Sequence, residues 1–293
     1  MAAASDTGQI MMDLRLACAD FTFPLLSHDH ALDLVAMLGV EGVDIGLFPD
    51  RSHLQQKDFL DNPSRGAREL VTKVCDRGLV LADIFHESAL DLKELSENHP
   101  DPTERQKSRE FFLRTLEFVQ LCEAPHMTSL PGIEWESDPP GDSLKRASEE
   151  QAWRVEKASE AGVVYATEPH MWSVAPAPET IFELLEMTPG LTLTLDYTHY
   201  TARGVADAAI EPLWKHASHF HARCSAQDKL QTSLANNTID WKGVVHAADQ
   251  ADYQGFFGLE YVVMDVEVVE DVDNLSETIR LRDLLKDLAG GKA

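Results

Sequence analysis

The sequence predicts one α/β domain, a closed (β/α)8 TIM barrel with a C-terminal helix. Short apolar runs of strand character alternate eight times with longer segments of helical periodicity within 293 residues, the count and length of a barrel built from strand–helix units. No linker divides the chain, so residues 13–293 are read as the barrel behind a flexible lead-in at 1–12. A doubly wound open sheet would place a Gly-rich phosphate turn after its first strand. Ala17-Cys18-Ala19-Asp20-Phe21-Thr22 offers no glycine there.

Residues 14–19 supply the first strand, and 29–38 a helix with Leu32, Val35, Ala36 and Leu38 at helical spacing before Gly39. The second strand, 42–48, carries Asp44 and is cut off by Pro49. A helix near 64–77 stops at Gly78, and 79–85 is the third strand. Phe112, Leu113, Leu116 and Val119 mark one side of a helix at 103–122. A short fourth strand near 125–130 precedes the Pro-rich loop 138–142 and a helix at 143–161. The fifth strand, 163–166, is followed by a helix at 178–187 and the sixth strand at 191–195. A helix over 205–217 leads to the seventh strand around His219 and a long loop, 224–238. Asp240-Trp241 opens another helix before the eighth strand, 256–263, and a terminal helix at 275–288.

Composition narrows the function classes. A hydrophobic fraction of 44% is that of a globular chain, and this length needs no disulfide to fold. The four cysteines form no CxxC pair, which fits a reducing cytoplasm, the expected location. Fifty acidic against 25 basic residues give a charge of −25, which repels phosphate backbones and anionic membranes. No nucleic-acid or membrane partner is expected, and no apolar run approaches the roughly 20 residues of a membrane span.

Four phrases carry the chemistry: Glu168-Pro169-His170, Asp196-Tyr197-Thr198-His199, His219-Phe220-His221 and Gly258-Leu259-Glu260-Tyr261. Each closes or interrupts an apolar run. Glu168, Asp196, His221 and Glu260 lie 28, 25 and 39 residues apart, about one strand–helix unit each time, so adjacent parallel strands would gather them at one end of the barrel. Two Glu, one Asp and one His make an oxygen-rich shell suited to one divalent metal. Mn2+ is expected first, with Mg2+, Co2+ or Zn2+ as alternatives.

These phrases, in this order, resemble the xylose isomerase-like TIM-barrel superfamily, which includes sugar isomerases, ketose 3-epimerases, inosose dehydratases and endonuclease IV. The resemblance implies a metal held by Glu168, Asp196, His221 and Glu260, and a substrate contact from His199. It implies a sugar isomerase or epimerase that moves a proton next to a carbonyl through a metal-bound enediolate, with Glu168 and Glu260 as the catalytic acid and base. Ketose 3-epimerases carry an arginine six residues beyond the metal histidine. Here that position is Gln227, and the nearest arginine is Arg223, which becomes the substrate-binding candidate. The alternative is a lyase acting on a 3-keto glycoside, similar to the catalytic subunits of C-glycoside deglycosidases. The partners implied are a small carbohydrate and a homo-oligomer, or a small β-rich subunit in the lyase case.

Other residues are weighed by position. His170 is expected at the substrate rim. His86 and His126, beside the third and fourth strands, are candidates to reach the mouth, His86 toward substrate and His126 as a catalytic acid or base, weighed against the simpler role of a core or surface histidine. His219 is assigned to the face opposite His221, as packing. Asp44 would meet a histidine if it faces the lumen. Arg51 and His53 lie in a loop after the second strand, and Trp172 and Trp241 are candidate sugar-stacking rings, with packing the simpler role for Trp241.

Overall fold

The computed structural model describes residues 12–89 and 91–291. Its eight strands are β1 (Arg15–Ala19), β2 (Gly42–Leu47), β3 (Val80–His86), β4 (His126–Ser129), β5 (Val164–Thr167), β6 (Thr192–Asp196), β7 (Ala217–Ala222) and β8 (Phe256–Leu259). All neighbours pair in parallel in sequence order, and β1 pairs with β8 to close the barrel. The predicted fold class is therefore the observed one. The expected lead-in lies outside the described residues except for Met12, which packs half-buried against the core.

The helices are α1 (His28–Met37), α2 (Gln56–Leu60), α3 (Pro63–Cys75), α4 (Pro102–Leu121), α5 (Asp142–Glu160), α6 (Pro178–Met187), α7 (Thr198–Thr201), α8 (Asp207–Ile210), α9 (Trp241–Gln250) and α10 (Asn274–Ala289). Their starts are chemically marked. Ser27, Asn62, Asp101 and Asp273 each accept a backbone N–H of the first turn, and Pro63 and Pro102 occupy first-turn positions where no donor is needed. The main apolar core lies between strands and helices, from Leu16 and Val43 through Leu193 and Phe220 to Leu281 and Leu285.

Two elements differ from expectation. The helix predicted over 205–217 is broken into α8 and a 3-10 turn (Glu211–His216) with Pro212 in its first turn, where proline stops one helix and starts the next. The eighth strand ends at Leu259, so Glu260 stands just beyond it.

The lumen departs from the layers of branched apolar side chains usual in such barrels. Its floor is Ala17, Ala82 and Phe256. Above that floor, hydrogen bonds cross the barrel. His126 Nδ1 lies 2.6 Å from Asp83 Oδ1, and its Nε2 lies 2.8 Å from Ser218 Oγ. His219 Nε2 lies 3.2 Å from Asp44 Oδ2, and the Thr128 and Thr194 hydroxyls are 2.6 Å apart. Register shifts in β2–β3 and β6–β7 turn extra side chains inward, as bulges do. Gly258 makes room for this layer, because a Cβ there would come within 2.0 Å of Asp44 Oδ2 and 3.0 Å of His219 Nε2.

That contact gives a stability prediction. Gly258→Ala is expected to lower the unfolding free energy by roughly 2 kcal/mol, the cost of overpacking a close-fitted interior. An unchanged urea midpoint would show that Asp44 and His219 have space to retreat.

Candidate metal centre at the barrel mouth

The C-terminal ends of β5 to β8 bring the four expected ligands together. Asp196 and His221 are direct register partners on β6 and β7. His221 pairs with Gly258 on β8, so Glu260, two residues on, presents the same face one layer higher. Glu168 follows β5, with its N–H donated to Ser129 O at 2.9 Å. All four are buried, at 5%, 0%, 0% and 5% exposure in chain order.

His221 Nδ1 lies 2.6 Å from Glu168 Oε1 and 3.6 Å from Glu260 Oε2. Asp196 Oδ1 accepts the Thr198 N–H at 2.8 Å, and its Oδ2 accepts Arg223 at 2.9 Å. The donor atoms fall into two triads that share Glu168, one with His221 and Glu260 and the other with Asp196 and His199, each within 4.8 Å. His199 Nε2 approaches Asp196 Oδ2 at 3.5 Å, and its Nδ1 accepts the Met171 N–H.

Three buried carboxylates face only one permanent cation, Arg223, and protons make up part of the deficit. Burial pushes Glu260 up to about 8 against the pull of His221 and Arg223. Burial opposes a charged His221, but Glu260 and Glu168 outweigh it and hold that imidazole well above its usual value. Asp196 goes the other way: burial is overcome by Arg223 and His199, and its carboxyl lies below the usual range. Oxygen donors in excess, one imidazole and a shortage of positive charge fit a divalent cation.

Above this floor opens a pocket of about 340 Å³, lined by Glu168, His199, Arg223 and Glu260 below and by an apolar wall that includes Phe21, Phe48 and Phe85. His170 and Trp172 line it too, Trp172 at 46% exposure, which matches their expected positions. Arg51, on the same wall, is ion-paired with Glu87. Trp241 is buried at the start of α9, in the packing role.

Three expectations are corrected. His126 is the first residue of β4 and lies deep in the lumen against Asp83 and Ser218, away from the mouth where a catalytic acid would stand. His86 directly follows the pocket-lining Phe85 on β3, so alternation turns it to the helix side, where it stacks on Phe111 at 5.1 Å. His219 shares the lumen face with His221, because residues two apart on a strand point the same way; it meets Asp44 and lies 5.3 Å from the His221 ring. Glu87, Asp83 and Ser218 were not singled out in the sequence. Asp83 alone left a signal there, an acid inside the apolar run of β3.

A family model described as xylose isomerase-like TIM barrel matches residues 32–287. No curated protein matches the chain. Among solved structures, an L-ribulose 3-epimerase superposes with a TM-score of 0.74 at 15% identity, covering 94% of each chain. A D-psicose 3-epimerase from Clostridium cellulolyticum H10 gives 0.75 at 14% identity, covering 94% of this chain and 99% of its own. A 3-keto-D-glucoside 4-epimerase from E. coli gives 0.72 at 12%, with 94% and 99% covered. At these identities the likeness is one of fold.

Two measurements follow from the geometry. The protein is expected to take up near one equivalent of Mn2+, with affinity falling more than about 100-fold in His221→Ala and Glu260→Gln, beyond the 10–100-fold typical of losing a supporting residue. Uptake that ignores both substitutions would move the site elsewhere. Separately, burial pushes His86 down to about 3 from an ordinary 6.5, so the unfolded chain binds a proton that the folded state resists. Its contribution to stability is complete above pH 6.5 and is lost as pH falls toward 3, up to about 5 kcal/mol. The stability difference between wild type and His86→Phe should trace that window, and a pH-independent difference would contradict it.

Proposed function

The chain belongs to the xylose isomerase-like TIM barrel family, and from that premise we propose that it is a divalent-metal-dependent sugar isomerase or epimerase, moving a proton next to a carbonyl. The observation that carries this reading is the pair of buried glutamates, Glu168 and Glu260, whose carboxylates converge on His221 Nδ1 at 2.6 and 3.6 Å. The structural neighbours described as epimerases support the sugar assignment.

Glu168, Asp196, His221 and Glu260 are the residues that would hold the cation, with Mn2+ the first choice for an oxygen-rich shell. A divalent cation there would act as a Lewis acid on the substrate carbonyl. The remaining work falls to the side chains. One glutamate removes the proton from the carbon beside the carbonyl. The other, on the far side of the substrate, delivers a proton to the opposite face and inverts that carbon. Arg223 takes the place of the epimerase arginine missing at Gln227, and with His199 it offers donors to substrate oxygens. The apolar wall excludes water from the exchange.

In deuterium oxide with Mn2+, wild-type protein is expected to incorporate solvent deuterium at one carbon of a ketose or 3-keto-glucoside substrate. Glu168→Gln and Glu260→Gln should each slow incorporation by about 1000-fold. No incorporation across both substrate panels would remove the proton-transfer reading.

A further inference from the structure

A second group of ligand-type side chains lies in the lumen, beneath the shell at the mouth. An Asp44 oxygen and one ring nitrogen each of His219 and His221 all lie within 4.8 Å of one another. All three residues are buried, at 0%, 1% and 0% exposure in chain order. His219 and His221 share the lumen face of β7, two residues apart. Asp44 meets His219 across the lumen from β2.

Three observations set this group apart. First, hydrogen bonds leave it incomplete. Among the described residues, Asp44 Oδ1 and His221 Nε2 are buried without a partner, while His221 Nδ1 is turned to Glu168 at 2.6 Å. Asp83, the register partner of Asp44 on β3, also keeps its Oδ2 without one. Second, the contact inside the group is loose. His219 Nε2 and Asp44 Oδ2 are 3.2 Å apart, against 2.6 Å for His126 and Asp83. The wider spacing is close to the roughly 3.3 Å between neighbouring ligands of a tetrahedral ion bonded at about 2.0–2.1 Å. Third, the backbone clears the space. Gly258, paired with His221 on β8, lacks the Cβ that would stand 2.0 Å from Asp44 Oδ2 and 3.0 Å from His219 Nε2.

Charge points the same way. Asp44 and Asp83 are both 0% exposed. Among the described residues their ion-pair partners are His219 and His126, with no lysine or arginine. A divalent cation would balance two carboxylates that are otherwise costly to bury.

We propose that Asp44, His219 and His221 form a second cation site, selective for Zn2+, beneath the oxygen-rich shell. Two imidazoles and one carboxylate are a zinc-type donor set that leaves a fourth position open. The mouth, with three carboxylates to one imidazole, suits a harder ion. His221 would present Nδ1 to the mouth and Nε2 to the zinc. The site rests neither on the sugar reading above nor on a cation at the mouth. Its occupant would tie β2 to β7 across the barrel and hold the His221 ring from below.

Zinc-soaked crystals of the full chain, measured on both sides of the zinc absorption edge, locate the ion directly. The expected map shows an anomalous peak about 2.0–2.2 Å from Asp44, His219 and His221. In solution, chelator-stripped protein titrated calorimetrically should bind two equivalents of Zn2+ but one of Mn2+. Asp44→Asn, close in size, should weaken one zinc event by more than about 100-fold and leave Mn2+ binding unchanged. Glu260→Gln should weaken the other. Zinc only at the mouth or the surface, or two zinc events untouched by Asp44→Asn, would overturn the site and leave a hydrogen-bonded pair. The map needs no variant, so the decision stands even if Asp44→Asn fails to fold. Zinc on Asp44 without Mn2+ uptake at the mouth would keep this site and remove the proposed metal centre. Mn2+ at the mouth without zinc on Asp44 would do the reverse.

Discussion

The rest of this structure depends on one constraint: three carboxylates buried within a few ångströms of each other at the barrel mouth. Glu168, Asp196 and Glu260 are almost wholly removed from water, and unpaired charges in such a place are costly. The fold answers with Arg223 against Asp196 and His221 against Glu168. That leaves the shell short of positive charge, which is why Glu260 and His221 hold protons more tightly than free side chains do. The same shortage is what makes the shell fit a divalent cation, which would displace those protons on binding.

The lumen beneath is arranged to hold that shell in place. His221 rests over His219, which meets Asp44, and His126 bridges Asp83 and Ser218 lower down. A polar column of this kind fixes side-chain orientation more narrowly than an apolar core, since a hydrogen bond holds only in a narrow range of directions. It also requires small neighbours. Gly258 and Gly46 leave no room for a Cβ, and Ala17 and Ala82 form the floor. The barrel thus gives up the usual filling of branched residues and directs its central volume toward positioning.

The barrel and the gathering of Glu168, Asp196, His221 and Glu260 at its mouth were legible in the sequence because both rest on spacing. Strand–helix alternation is a local pattern, and ligand-type residues at strand ends one unit apart leave a mark that survives any loop geometry. The positions of the remaining histidines were not legible, for reasons of register. His126 opens its strand and His86 ends its own, so they stand at opposite ends of the barrel, a difference decided by how β3 and β4 are staggered. Ser218 faces inward only because β6 and β7 slip by one residue between Leu193 and Thr194, and no sequence rule announces a bulge. The broken helix after β6 shows the same limit, with the apolar spacing there satisfied by two short elements that meet at Pro212.

The parity of β3 also decides which side chains line the pocket. Phe85 points into it and packs near His221, with ring centroids 5.5 Å apart, while His86 points behind the strand. Phe21, Phe48 and Phe85 meet edge to face at 4.9 Å and 5.0 Å, giving the pocket a stiff apolar wall that keeps the local dielectric low and the charge interactions of the shell strong. Such a wall cannot satisfy the hydroxyls of a sugar. Hydroxyl groups desolvated against it would lose hydrogen bonds to water and gain none, a penalty that grows with each added carbon. A long polyol therefore binds well only if its outer hydroxyls reach polar atoms elsewhere.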